Sequence, residues 1–141
     1  MLRVLRIAID SVSRFLDGVG ARRLADGEWG LTIPDQHPLD IGIRMVDGLL
    51  RIQAFAAPAA DAPADADLLH WNRSSLLTRF ARTRSGDVWV QADLLIEGLS
   101  EGAIDQVLGL VVEAAHSARA VAYAPAQPRV NDATRWLPGP G

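Results

Sequence analysis

Asp47-Gly48 stands between two alternating runs, and this pair constrains the fold more than any other feature of the chain. Both central positions of a type I′ turn take positive φ, which aspartate tolerates and glycine adopts freely. Before the pair, Ile41, Ile43 and Met45 alternate with Gly42 and Arg44, the two-residue period of a half-buried strand. After it, Leu49 to Ala56 reads as the partner strand, with Leu50, Ile52 and Ala54 on one face. A lone hairpin with one apolar face is marginal in water, so other parts of the chain must cover it.

Several segments can supply that cover. Residues 2–19 carry Leu2, Leu5, Ile9, Val12, Leu16 and Val19 at three- and four-residue steps, one face of an amphipathic helix, with Gly18 and Gly20 as its stop. Glu28 to Ile33 reads as a strand closed by Pro34. Asp67 is expected to cap a short helix through about Ser74 that carries Leu68, Leu69 and Trp71. Leu77 to Thr83 and Val88 to Ile96 read as strands around a Ser85-Gly86-Asp87 turn. Ser100 opens the last helix, whose buried stripe is Ile104, Val107, Leu108, Val111, Ala115 and Ala118.

The expected order is therefore helix, three strands, helix, two strands, helix. This is an α+β domain with an antiparallel sheet and flanking helices, α-β-β-β-α-β-β-α. One domain is expected over 1–123. Residues 57–66, mostly Ala, Pro and Asp, read as an exposed loop. Residues 124–141 read as a Pro/Gly-rich mobile tail in which Trp136-Leu137 could dock.

Composition removes more functions than it offers. The chain of 141 residues has no cysteine, which excludes disulfides, thiolate metal sites and cysteine nucleophiles. All 14 basic residues are arginine, which removes Schiff-base and P-loop lysine chemistry. The absence of lysine beside abundant Ala, Gly and Pro is the mark of a GC-rich genome. A net charge of −3 argues against a general nucleic-acid or anionic-membrane binder. With no export signal and no long apolar run, a cytoplasmic protein is expected.

No catalytic constellation emerges. His37, His70 and His116 sit at no metal-ligand spacing and read as surface residues, so no metal and no cofactor are expected. Ser74 and Ser75 lack a nucleophile elbow, and Gly18-Val19-Gly20 follows a helix where a phosphate loop follows a strand. Asp93 and Glu97 read as two solvated charges near a strand end. Arg73, Arg79, Arg82 and Arg84 cluster along the second half. Arg82 and Arg84 would share a strand face if the strand ran that far, either to hold an acidic partner or to keep a sheet edge soluble.

Trp89, between Val88 and Val90, points to the opposite sheet face from both. Gln91 and Asp93 share that face. Its cover is a helix of the same chain, a second protomer or a bound peptide.

From Leu68-Leu69-His70-Trp71-Asn72-Arg73 the chain resembles the bacterial YbjN-like family, which shares its fold with type III secretion chaperones. The resemblance rests on an apolar pair before Trp-Asn, then a strand, a Gly-Asp turn, a long strand, and Leu-Ser opening a terminal helix. It implies Trp71 and Asn72 as a structural element, with Asn72 either ending the helix in a left-handed conformation or bonding a neighbouring backbone, and it implies no catalysis. It also implies a homodimer that holds an extended segment of a partner protein. The contact surface is then expected at Trp89, Gln91 and Asp93, with Arg82 and Arg84. The alternative is a regulatory or scaffolding domain that binds one folded protein.

Overall fold

The computed structural model describes residues 2–124, with side chains from Ile9 onward. A helix, α1 (Leu2–Gly18), is followed by four strands: β1 (Arg22–Ala25), β2 (Glu28–Ile33), β3 (Leu39–Val46) and β4 (Leu49–Ala57). Then come α2 (Asp65–Ser74), β5 (Arg79–Arg82), β6 (Val88–Leu95) and α3 (Glu101–Ala122). All neighbouring strands are antiparallel, in the order β1-β2-β3-β4-β6-β5.

The expected element order holds with one strand added. Arg22-Arg23-Leu24-Ala25 is exposed along its whole length, so no apolar alternation betrays it. Gly27, at φ 72, turns it back onto β2.

The Asp47-Gly48 turn forms as its chemistry requires. Asp47 sits at φ 48 and Gly48 at φ 78. It fixes a register in which Ile43 faces Ile52 and Ile41 faces Ala54. β4 then pairs with β6, so that Ile52 faces Ala92 and Ala54 faces Val90. These residues form one apolar face, joined by Trp29 of β2 and Phe80 of β5.

All three helices contribute to the core on that face. α3 lies across β4 and β6, α2 against β5, and α1 against α3. Val12 and Leu16 of α1 are fully buried, as are Ile104, Val111, Ala115 and Ala118 of α3. Ser100 caps α3 as expected, its Oγ accepting from Ala103 N–H at 3.1 Å. Further along, Arg119 donates to the carbonyls of Phe55, Ala56, His37 and Pro38, tying the helix to the end of β4 and to the β2–β3 loop.

Two local expectations are corrected. α2 begins at Asp65, after Ala64, so Asp67 lies inside its first turn and does not cap it. Two aspartates there complement the positive helix end. Residues 57–66 do not hang free: a 3₁₀ turn spans Ala59–Asp61 and Pro63 is buried. Asp87 accepts from Ala59 N–H at 3.0 Å, pinning this stretch to the β5–β6 turn. Small side chains let the segment pack closely, and the same smallness made it read as a linker. The expected tail lies outside the described residues.

Gly48 and Gly86 separate two costs. A Cβ at Gly48 meets nothing, so Gly48→Ala should cost about 1 kcal/mol from backbone conformation alone. A Cβ at Gly86, at φ 94, would stand 2.9 Å from Ala59 Cβ, so Gly86→Ala should cost clearly more. Urea midpoints at unchanged slope will order the two.

Candidate functional site

The helices cover one face of the sheet, and the other carries no helix among the described residues. Register decides what stands on it. Arg51 of β4 faces Asp93 of β6, Gln53 faces Gln91, and Phe55 faces Trp89. Trp89, Gln91 and Asp93 therefore share this outer face. Phe55 and Trp89 meet edge to face, with ring centroids 5.4 Å apart at 84°. Such pairing stabilises both rings while leaving part of each accessible. At the other end of the same strands, Leu49 faces Leu95, and Leu95 is 70% exposed.

Asp93 organises the middle of this face. Arg51 donates through Nε and a terminal nitrogen to its two oxygens, at 2.7 and 3.0 Å. Arg79 of β5 adds a third bond at 3.0 Å. This fork is the strong geometry for an ion pair. The hydrogen bond from Arg51 pulls the Asp93 carboxyl below its ordinary range, against partial burial, with Arg79 adding to the effect. The same bond raises Arg51. Asp93 is thus a paired charge held by two arginines, and it is not free for acid–base work. Glu97 lies beyond the strand end, in the turn before α3, and is exposed.

Arg82 and Arg84 are not brought to this face. Arg82 sits opposite Val88, on the helix-covered side. It donates to Gly86 O and Pro63 O at 2.8 and 2.9 Å and pairs with Asp65 at 2.8 Å. Those bonds hold the start of α2 to the sheet edge. β5 ends at Arg82, so Arg84 lies in the turn and shares no strand face with it.

Trp71 and Asn72 have a specific structural task. The Asn72 carboxamide accepts from Phe80 N–H at 2.6 Å and donates to Phe80 O at 3.1 Å. It imitates a neighbouring strand at Phe80, where β5, an edge strand, turns both backbone groups outward. Trp71 packs its ring at 5.7 Å from the Phe80 ring, anchoring the same residue from its side chain. A long open edge invites strand pairing, and here α2 closes it. The opposite edge, β1, has no such guard among the described residues.

Between α2, β5 and α3 lies a groove of about 360 Å³, lined in part by Trp71, Leu76, Phe80, Leu110, Glu113 and Ser117. Its rim is strained. Thr78 N–H donates to Leu76 O at 2.7 Å, closing a three-residue turn around Leu77 at φ 64. This left-handed turn is rare for a side-chain-bearing residue. It holds Leu76 and Leu77 outward, 76% and 60% exposed.

The histidines converge on no metal-type group among the described residues. His37 stacks on Tyr123 at 4.2 Å, and His116 lines the same shallow hollow. No helix among the described residues is long and apolar enough to cross a membrane.

A six-stranded antiparallel sheet with three helices on one face is the fold of type III secretion chaperones. The structure matches the crystal structure of the ExsC-ExsE complex with a TM-score of 0.66 at 14% identity, covering 86% of this chain and 98% of that one. It matches the Yersinia pestis type III secretion chaperone SycH, solved with a stable fragment of YscM2, at 0.62 and 17% identity, over 79% and 98% of the two chains. The HopA1-SchA chaperone-effector complex gives 0.63 at 17%, over 82% and 93%. No curated protein matches by sequence.

Within that fold the family is narrower. Residues 43–122, more than half of the chain, match the YbjN family model, described as "Putative bacterial sensory transduction regulator", and the chain belongs to that family.

Sequence reasoning missed Arg51 and Phe55, which complete the outer face. Their signal was present: they occupy the alternate positions to Leu50, Ile52 and Ala54. Their partners lie about forty residues away in β6, a pairing that alternation alone does not reveal.

Two expectations follow. Asn72→Ala strips both backbone bonds from Phe80 and should cost about 1–3 kcal/mol in urea unfolding, with faster amide exchange at Phe80. Asn72→Asp keeps the acceptor, loses the donor and should fall between. Asp93 is depressed in the folded chain, so its contribution is full above the ordinary aspartate range. It is lost as pH falls from there through the depressed value. Asp93→Asn should flatten the acid limb of the stability curve in that window, measured by urea unfolding at stepped pH.

Proposed function

We propose that this chain is a non-catalytic, chaperone-like domain that forms a homodimer and holds an extended segment of a partner protein. One observation carries this reading: a sheet face with an edge-to-face Phe55–Trp89 pair, carrying no helix among the described residues. Trp and Tyr anchors surrounded by polar side chains are the usual make-up of a protein contact. Gln53 and Gln91, opposite each other beside the aromatic pair, offer donors and acceptors to a backbone. The complexes among the fold neighbours support a protein as the partner.

The Asn72 guard narrows how an extended segment would bind. Strand addition at β5 would have to displace the carboxamide from Phe80. Among the described residues the unguarded edge is β1, whose four residues are all exposed. A segment seated there would gain backbone bonds, with Arg22 and Arg23 beside it to favour acidic neighbours.

A second reading has its own support. The family description names sensory transduction regulators, which favours a regulatory domain acting on one folded partner.

Light scattering over a dilution series should show twice the chain mass down to low micromolar. A monomer at every concentration would remove the paired architecture. Short peptides selected from a random display library should bind the native chain and lose at least about tenfold in affinity with Trp89→Ala. Failure to select any linear peptide, with the dimer intact, would favour the folded-partner reading.

A further inference from the structure

The groove between α2, β5 and α3 has apolar walls and one acidic residue. Trp71, Phe80, Leu76 and Leu110 give it apolar walls, and Glu113 gives it one negative charge. Leu110, Glu113, Ala114 and Ser117 recur at three- and four-residue steps, so its α3 wall is one continuous stripe. That stripe runs toward the C-terminal end of α3. The strained turn at Leu77 keeps the opposite rim apolar and exposed.

The chain itself carries a segment of matching chemistry. Beyond Ala124 come residues 125–141, and most of their side chains are small, polar or proline. Arg135-Trp136-Leu137 is the exception: two large apolar residues led by a cation. We propose that this segment docks in the groove of its own chain, with Trp136 and Leu137 against Leu76, Phe80 and Leu110, and Arg135 beside Glu113.

Geometry permits it with slack. Leu110 lies twelve residues before the end of α3, about 18 Å along the helix axis. Trp136 lies twelve residues beyond Ala124, and twelve residues span at most about 40 Å when fully extended. The segment can therefore return antiparallel to α3 and overshoot the groove. Charge agrees: Arg135 is the cation next to the apolar pair, and Glu113 is the acidic residue lining the groove. A tether of this length also presents the segment at an effective concentration near millimolar, so even a weak contact would be populated. The docked segment would then compete with any partner's apolar segment that sought the same groove. The proposal stands on the groove and the sequence, independently of the outer sheet face.

The full chain is free of cysteine, so Thr134→Cys gives a single position for a nitroxide label. The amide signals of Leu76, Leu110 and Ser117 should lose most of their intensity. Those of Arg22 and Arg23 on β1, five strands away from β5 at about 4.8 Å per strand, should keep theirs. Adding Trp136→Ala and Leu137→Ala should restore the groove signals. Retained intensity at the groove overturns the proposal, as does uniform loss over the surface. Loss in a mixture of labelled chain with separate isotope-enriched chain overturns it too, by assigning the groove to another copy's segment.

Discussion

Everything distinctive in this protein depends on the pairing of β4 with β6, two strands separated in sequence by α2 and β5. Their antiparallel register runs from Leu49↔Leu95 to Ala57↔Val88. On one face it stacks Ile52 with Ala92 and Ala54 with Val90, beneath α3. On the other it sets Arg51 against Asp93 and Phe55 against Trp89. A slip of one residue would exchange the two faces, burying the ion pair and exposing the aliphatic stripe. The fully buried inner positions make that exchange prohibitive, so core packing specifies the geometry of the outer face.

That dependence explains what could be read in advance. The hairpin at Asp47-Gly48, the cap at Ser100 and the stripe of α3 are local signals, each contained within a few turns or residues. They sufficed for the class of fold and for the position of Trp89 relative to Val88 and Val90. Arg51 was out of reach because its role is created by Asp93, about forty residues later. Arg82 was misplaced for a related reason. Its strand stops at the same residue, and its partners Asp65 and Pro63 lie in a segment whose alanines and prolines looked unstructured. β1 escaped notice because an edge strand exposed on both faces has no alternation to show.

The resemblance built on Trp71-Asn72 and the structure meet at one atom group. The asparagine carboxamide carries a donor and an acceptor at the spacing of a peptide unit, so it can stand in for a strand. Serine, alanine or leucine at that position would supply one bond or none. Such an element has a reason to recur wherever this fold presents a short outer strand beside its middle helix. It also separates two surfaces: Trp71 and Asn72 hold the β5 edge, while the exposed sheet face lies elsewhere.

One sealed edge and one unsealed edge also set an arithmetic for assembly. A sheet open on both sides can add a neighbour to each, and repeated head-to-tail addition has no natural end. Among the described residues, the β1 edge is the one without a side chain seated on its backbone groups. Two chains joined through that edge would cover it in both, and a chain that accepted a foreign strand there would likewise have it covered. Asn72, by occupying the outward backbone groups of Phe80, disfavours strand addition at the β5 edge.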